Sequence, residues 1–369
     1  MNYLLYMFLA IMPFVITDNL WDYSNLPKIL FIQNGVILLA VVFFWKRKFK
    51  DITVSRTLIA YMVFLLWAGL SIFWAINKYE AVVIFTHWAI CGMFLFLVQN
   101  MNINKTVIFL ILITTAWIVA LIGLGQHFFQ LDWVSQSAGS SSTFANINLT
   151  NGYILMTMPL GLALMVFMRQ RKRWGIFVAL SAAMATILTY IYVAHRKTAM
   201  VVIIIIGAYY IVKYLRRLDY AMIALVIVGL LMVGYFHYVN PALFNSSSVT
   251  YRMQMWQNTA KIIKEHPIVG VGVGNFMVHY DKYATLKIND NKAHNDYIQM
   301  LCELGIVGIY LAFLVLVYAY QGIFIKRDLY STVMKAGLWS FLIVAMFNFP
   351  IYTAADPFIC ALYLGVLRV

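Results

Sequence analysis

The chain has 369 residues, 63% of them hydrophobic and 11% charged, and a formal net charge of +14. A soluble core cannot hide that much apolar surface, whereas a bilayer accepts it. Continuously apolar runs of about 20 residues, with no two-residue alternation, exclude a β-barrel, so the sequence predicts an all-α polytopic membrane protein, a single membrane domain over residues 1–369.

About twelve spans are predicted, at 3–17, 27–45, 57–76, 80–98, 106–126, 152–168, 174–194, 198–215, 219–239, 304–325, 332–349 and 357–368. The first run has no basic n-region and no A-x-A-like cleavage site, so it reads as a retained helix rather than a signal peptide. Two polar stretches interrupt the series, a loop from His127 to Asn151 and a long loop at 240–303, between the ninth and tenth spans, with short amphipathic helices of its own. Cys91, Cys302 and Cys360 are scattered and read as small apolar packing residues, with neither a disulfide framework nor metal-ligand spacing.

Charge sorts with alternate loops. One set carries "KRKFK" (46–50), Arg56, Lys105, "RQRKR" (169–173), Lys213, "RR" (216–217), "KR" (326–327), Lys335 and Arg368, which is 17 basic residues against Asp51, Asp219 and Asp328. The other side holds the remaining 10 basic and 10 acidic residues. The positive-inside rule makes the first face cytoplasmic, with both termini on it and both large polar loops outside. Topology accounts for the basic excess, so nucleic-acid binding is not implied.

Four outward stretches stand out. "YVAHRKTAMVV" (192–202) places Arg196 and Lys197 between two apolar spans. The 42 residues from 174 to 215, at ~1.5 Å each, would extend ~63 Å as one helix, twice the hydrocarbon thickness, so they form a tight hairpin with cations at its tip. Arg196 is either a snorkelling arginine or an anion receptor at the outer surface. "SSVTYRMQMWQNTAKIIKEHP" (247–267) reads as an amphipathic helix capped by Ser248 or Thr250 and closed by Pro267. Met253, Trp256, Ala260 and Ile263 form its apolar stripe, expected to lie down on the membrane surface, and Arg252 shares a face with Trp256. "IVGVGVGNF" (268–276) has glycines at 270, 272 and 274 that permit close backbone approach; no βαβ unit surrounds them, so this is not a dinucleotide fingerprint. In "KAHNDYIQMLCELGIVG" (292–308), Asn295 is the expected N-cap of a short helix ending near Gly305, with Asp296 in its first turn and His294 just ahead of it. Spacing alone does not separate His294 from the six other histidines, and Asp290 with Asp296 lacks the third partner that a metal site needs.

In order and spacing these pieces resemble the O-antigen ligase and O-antigen polymerase family of bacterial membrane glycosyltransferases. "RMQMWQNTAKIIKEHPIVGVGVGNF" is similar to the family's R-x-x-x-W helix followed by H-P-[apolar]-x-G-x-G-x-x-F, and "AHNDYIQMLCELGIVG" to its A-H-N segment with a downstream E-x-G. "AHRKTAM" sits where the family has a short arginine motif, and "GSSSTFANINLTNGYILMTMPLGL" (139–162) is similar to its outward asparagine loop. The resemblance implies transfer of a glycan from undecaprenyl pyrophosphate to an acceptor hydroxyl at the outer side of the inner membrane, with inversion, no cofactor and no obligate metal. The expected acceptor is lipid A-core, as in a ligase. The alternatives are another lipid-linked repeat unit, a protein or, more distantly, a flippase function. It implies His294 as general base and Arg196 and Arg252 as receptors for the departing pyrophosphate. Lys197, Asn295, Trp256, Asn146, Asn148, Gly272 and Gly274 are the implied substrate-binding residues. The chemistry suits these types: guanidinium binds phosphate oxygens bidentately without losing charge, and imidazole ordinarily titrates near neutrality.

Overall fold

The computed structural model describes residues 1–20, 22–46, 52–131, 134, 139–194, 199, 201–205, 207, 247–283, 292–325 and 328–367. Among these residues all regular structure is helical: α1 Asn2–Ile11, α2 Asn25–Lys46, α3 Arg56–Leu70, α4 Lys78–Gln99, α5 Lys105–Phe129, α6 Ile147–Gln170, α7 Trp174–Val193, α8 Ser247–Glu265, α9 Phe276–Tyr280, α10 Asp296–Ile325, α11 Leu329–Ala345 and α12 Asp356–Leu367. Polar caps set several starts. Ser55 accepts the Leu58 amide at 3.1 Å, Asn77 that of Glu80 at 3.1 Å and Asn104 that of Thr106 at 3.0 Å, each satisfying a donor that the first turn leaves open.

Seven described helices are long and apolar enough to cross a membrane: α2, α3 with the turn that follows it, α4, α5, α6, α7 and the run Asp296–Gln321 of α10. The segments Asn2–Phe14, Tyr330–Ala345 and Asp356–Leu367 are shorter apolar helices. Ten of the twelve expected spans coincide with described helices; those at 198–215 and 219–239 fall outside the described residues except for 199, 201–205 and 207. The first expected span, 3–17, is overlong: α1 ends at Ile11 and passes into a single tight turn, Met12–Phe14, that contains Pro13. The short helix expected from Asn295 and the span expected from 304 form one run, 296–325, broken at Gly305 (φ 66°, ψ −169°).

α6 packs against α5, α7 and α11, α10 lies along α3, and α12 lies along α4. The main apolar core runs through α1, α2, α4–α7, α11 and α12, and a second joins α3, α4 and α10 with Val273 and Tyr352. A smaller cluster joins α8 and α9 to Val271, Ala293 and Cys302. Hydrogen bonds between loops define the two ends. At one, Asn100 pairs with Thr53, Gln99 donates to Ser55, and Thr106 meets Tyr330. At the other, Ser24 donates to the Thr143 carbonyl, Asn77 pairs with Asn275, and the Ile351 amide donates to Asp296. Lys46, Arg56, Lys105 and the 169–173 basic turn lie at the first end, and His294 lies at the second.

Candidate active site

The 292–295 segment enters α10 under tight control. Asn295 is the N-cap, as expected: its Oδ1 accepts the amides of Tyr297 at 3.0 Å and Ile298 at 3.1 Å. His294 is 7% exposed, has a left-handed backbone (φ 52°) and packs its ring edge-on to Phe349, 5.1 Å between centroids. A non-glycine residue with positive φ is sparsely populated and persists where its surroundings fix it. Here the preceding residue, Ala293, is pinned through both of its backbone polar groups. The Ala293 amide donates to Gln299 Oε1 at 2.8 Å, and its carbonyl accepts Trp256 Nε1 at 2.9 Å. Trp256 lies one turn along α8 from half-buried Arg252, so this bond ties the turn that carries Arg252 to the residue before His294.

α8 packs on a different face from the one expected. Met255 and Ile262, together with Asn258 and Thr259, are buried, whereas Met253 is 53% exposed. The stripe of Met253, Trp256, Ala260 and Ile263 therefore borders this packing face and is not the seam itself. The partners of α8, which lie at 271–280 and 293–302, select the seam by tertiary contact.

The glycine stretch fills the break in α10. At Gly305 the helix frees two carbonyls, and the stretch takes them: Val271 N–H donates to Cys302 at 3.0 Å and Gly272 N–H to Glu303 at 2.8 Å. Gly274 N–H donates to the Glu303 carboxylate at 2.9 Å. The amides of Gly272 and Gly274, which the resemblance offered to a substrate, are thus engaged by Glu303. Glycine is required at Gly270 (φ 71°), where a Cβ would come within 2.4 Å of the Glu303 backbone.

Asn146 caps α6 by accepting the Asn148 amide at 2.8 Å, and Asn148 is half-buried in the first turn. Both stand at the His294 end of the bundle but at a different helix start. Arg196 and Lys197 lie outside the described residues.

Spacing did not single out the 349–357 segment, "FPIYTAADP" from Phe349, as part of this site. Phe349 meets His294, Ile351 N–H donates to Asp296 at 2.9 Å, and the Tyr352 hydroxyl donates to Glu303 at 3.0 Å. The Thr353 carbonyl meets His87 Nε2 at 2.9 Å, and Ala354 N–H donates to Asn25 at 3.0 Å. Burial, and then the neighbouring Glu303 and Asp296 carboxylates, raise the Tyr352 phenol well above its ordinary 10, so it remains a donor. Lys292 Nζ lies 4.0 Å from Glu80 and 4.7 Å from the Tyr352 ring centre, a cation beside buried Asp296 and Glu303. An acid and two prolines in an otherwise apolar terminal stretch were the available signal. Among the described residues no three His, Cys, Asp or Glu side chains gather in a metal-holding group.

Fold and site define a multi-pass helical membrane protein whose polar loops converge at one end of the bundle around His294. Over residues 182–313 the chain matches the family described as O-antigen ligase, the family its motifs resemble. That stretch runs from within α7 to within α10 and includes Arg196, Arg252, Trp256, Gly272, Gly274, His294 and Asn295. Among curated proteins none matches the chain. The family match supports a membrane glycosyltransferase activity of the O-antigen ligase and polymerase type, with lipid-linked glycan substrates.

Proposed function

We propose that this protein is an O-antigen ligase. In this reading it moves a glycan from undecaprenyl pyrophosphate to a hydroxyl of lipid A-core, at the periplasmic side of the bacterial inner membrane. The observation that carries the proposal is the fixed His294, whose backbone is braced from α8 by Trp256 and whose ring is packed on Phe349, within the matched segment. The acceptor oxygen attacks the anomeric carbon from the face opposite the pyrophosphate, so the configuration inverts. His294 takes the hydroxyl proton and later releases it to water. The bond from the anomeric carbon to the pyrophosphate oxygen breaks, and Arg252, Arg196 and Lys197 stabilise the charge that gathers on the leaving group. Asn295, Trp256, Asn146 and Asn148 are assigned to substrate placement. Gly272 and Gly274 serve the proposed site indirectly, by holding Glu303. Twelve spans with both termini cytoplasmic complete the proposal, supported by the concentration of basic residues at the bundle end away from His294.

The test is transfer by the purified protein from undecaprenyl-pyrophosphoryl glycan, with lipid A-core, a second lipid-linked repeat unit and an acceptor peptide supplied separately. Glycosylated lipid A-core is the expected product. Extension of the repeat unit alone would make the protein a polymerase, a glycosylated peptide alone would make it a protein transferase, and no transfer to any acceptor would sink the assignment.

A further inference from the structure

The hydrogen bonds behind His294 have a direction as well as a geometry. The Ala293 amide can only donate, so the Gln299 atom 2.8 Å from it is the carbonyl oxygen. The amide nitrogen of Gln299 must then point the other way, and it donates to Glu303 Oε1 at 2.9 Å. The other oxygen, Oε2, accepts Gly274 N–H at 2.9 Å and the Tyr352 hydroxyl at 3.0 Å. Ala293, Gln299 and Glu303 are all 0% exposed, so water cannot replace a lost partner. Three donors thus converge on Glu303, and a carboxylate, with two acceptor oxygens and no donor, is the group that satisfies all three.

We infer that Gln299 and Glu303 are positioning residues, a polar relay that sets the Ala293 peptide and through it the imidazole of His294. This rests on the assignment of His294 as the proposed base. The relay joins three separate pieces of chain at one carboxylate: the glycine stretch through Gly274, the 349–357 segment through Tyr352, and α10 itself. It holds His294 in a left-handed backbone conformation that few non-glycine residues adopt.

The polarity makes the inference testable with isosteric changes. Glu303→Gln alters no volume but supplies one acceptor and one donor. If the new amide nitrogen faces Gly274, two donors meet there. If it faces Gln299, that side chain must turn over and two donors meet at Ala293. Adding Gln299→Glu reverses the whole relay: the amide introduced at 303 donates to the carboxylate introduced at 299, whose second oxygen accepts from Ala293, and every bond is restored.

The experiment compares wild type, Glu303→Gln, Gln299→Met and the double exchange, all purified in detergent. It measures single-turnover transfer, donor binding and the rate at which diethyl pyrocarbonate modifies His294, mapped by mass spectrometry. Glu303→Gln and Gln299→Met are expected to lose turnover on the order of 10- to 100-fold with donor affinity retained, because a misplaced catalytic group costs rate more than binding. His294 should be modified faster in both. The double exchange should return turnover and His294 protection close to wild type. A Glu303→Gln protein with wild-type turnover and protection overturns the relay, as does a double exchange no better than the single variants. If Glu303→Gln does not accumulate, protection of His294 in the double exchange against Gln299→Met decides alone. A wild-type protein that transfers nothing would refute the transferase assignment, while the modification rates still decide the relay.

Discussion

The carbonyl of Pro267 accepts the amide of Ile306 at 2.9 Å, across the point where α10 breaks at Gly305. The break opens donors and acceptors in the middle of a run that would otherwise satisfy them internally, and the 267–274 stretch supplies the missing partners. A Cβ at Gly305 would stand 2.1 Å from the Ile268 oxygen, at a φ of 66° that side chains rarely adopt. Gly305→Ala is therefore expected to cost about 3 kcal/mol or more, from a forbidden contact together with backbone strain. Gly175→Ala, with nothing within 4 Å of the new carbon, should be neutral or slightly stabilising in its helix. Melting in detergent compares the two, and equal melting temperatures would dismiss the 267–274 stretch as the structural complement of the break.

Much of this arrangement is legible in the sequence. Continuous apolar runs give the helices, Asn295 reads directly as a cap, and Gly305 marks the end of the short helix that begins there. What cannot be read is which backbone groups answer one another. The amides of Gly272 and Gly274 look free until the break in α10 presents the Glu303 carbonyl and carboxylate to them. Likewise the stripe of Met253, Trp256, Ala260 and Ile263 is the apolar face that local period picks out of α8, and contact with Val271, Tyr280 and Ala293 selects Met255 and Ile262 rather than Met253. Tyr352 lies 49 positions from Glu303, beyond any local period.

Orientation is tested with single cysteines in a background lacking Cys91, Cys302 and Cys360. Lys282 and Arg173 are exposed at opposite ends of the bundle. Lys282→Cys should react with an impermeant thiol reagent from the periplasm, and Arg173→Cys should react only after the membrane is opened. The reverse pattern would turn the molecule over and remove the proposed site from the periplasm.

The 247–283 stretch should be sensitive to acid. His279 is buried, its ring centre 5.6 Å from that of His266. Burial, then Lys282 and His266, hold its imidazole below the ordinary 6.5, with Glu265 acting in the opposite sense. The folded state thus prefers the neutral ring. Its contribution to stability is full above about pH 6.5 and is lost as pH falls through the lowered native value. Melting temperature should decline from pH 7 to pH 5, and His279→Gln should flatten that slope. An unchanged slope in the variant would assign the acid sensitivity elsewhere.

Arg196 lies outside the described residues, so its role is argued from sequence alone. The sequence predicts it as a cation at a tight outer hairpin, against the general segregation of basic residues. Arg196→Lys keeps the charge but loses the planar fork that binds phosphate bidentately. Transfer should fall markedly with insertion unchanged. Full activity in a normally inserted Arg196→Lys protein would make it a snorkelling residue.

The last prediction separates the proposed base from the proposed anion receptor. His294→Ala removes proton transfer and leaves the cations in place, so turnover should fall about 10²–10⁴-fold, the usual worth of general base catalysis. Donor affinity should change little. Arg252→Ala acts on the other function and should weaken donor binding and turnover together, since a guanidinium that meets phosphate in the ground state continues to do so as charge builds. Both residues have structural neighbours that could confuse the result: His294 abuts the Asn295 cap, and Arg252 lies one turn from the Trp256 bond to Ala293. Trp256→Phe controls for the second, because it removes that bond and keeps an aromatic ring; it should lower turnover by loosening Ala293, and its donor binding separates that bracing from the substrate contact assigned to Trp256. Donor binding and single-turnover transfer are measured on the same preparations, with detergent stability checked for each. If His294→Ala binds donor poorly and Arg252→Ala binds it normally, the two assignments are the wrong way round.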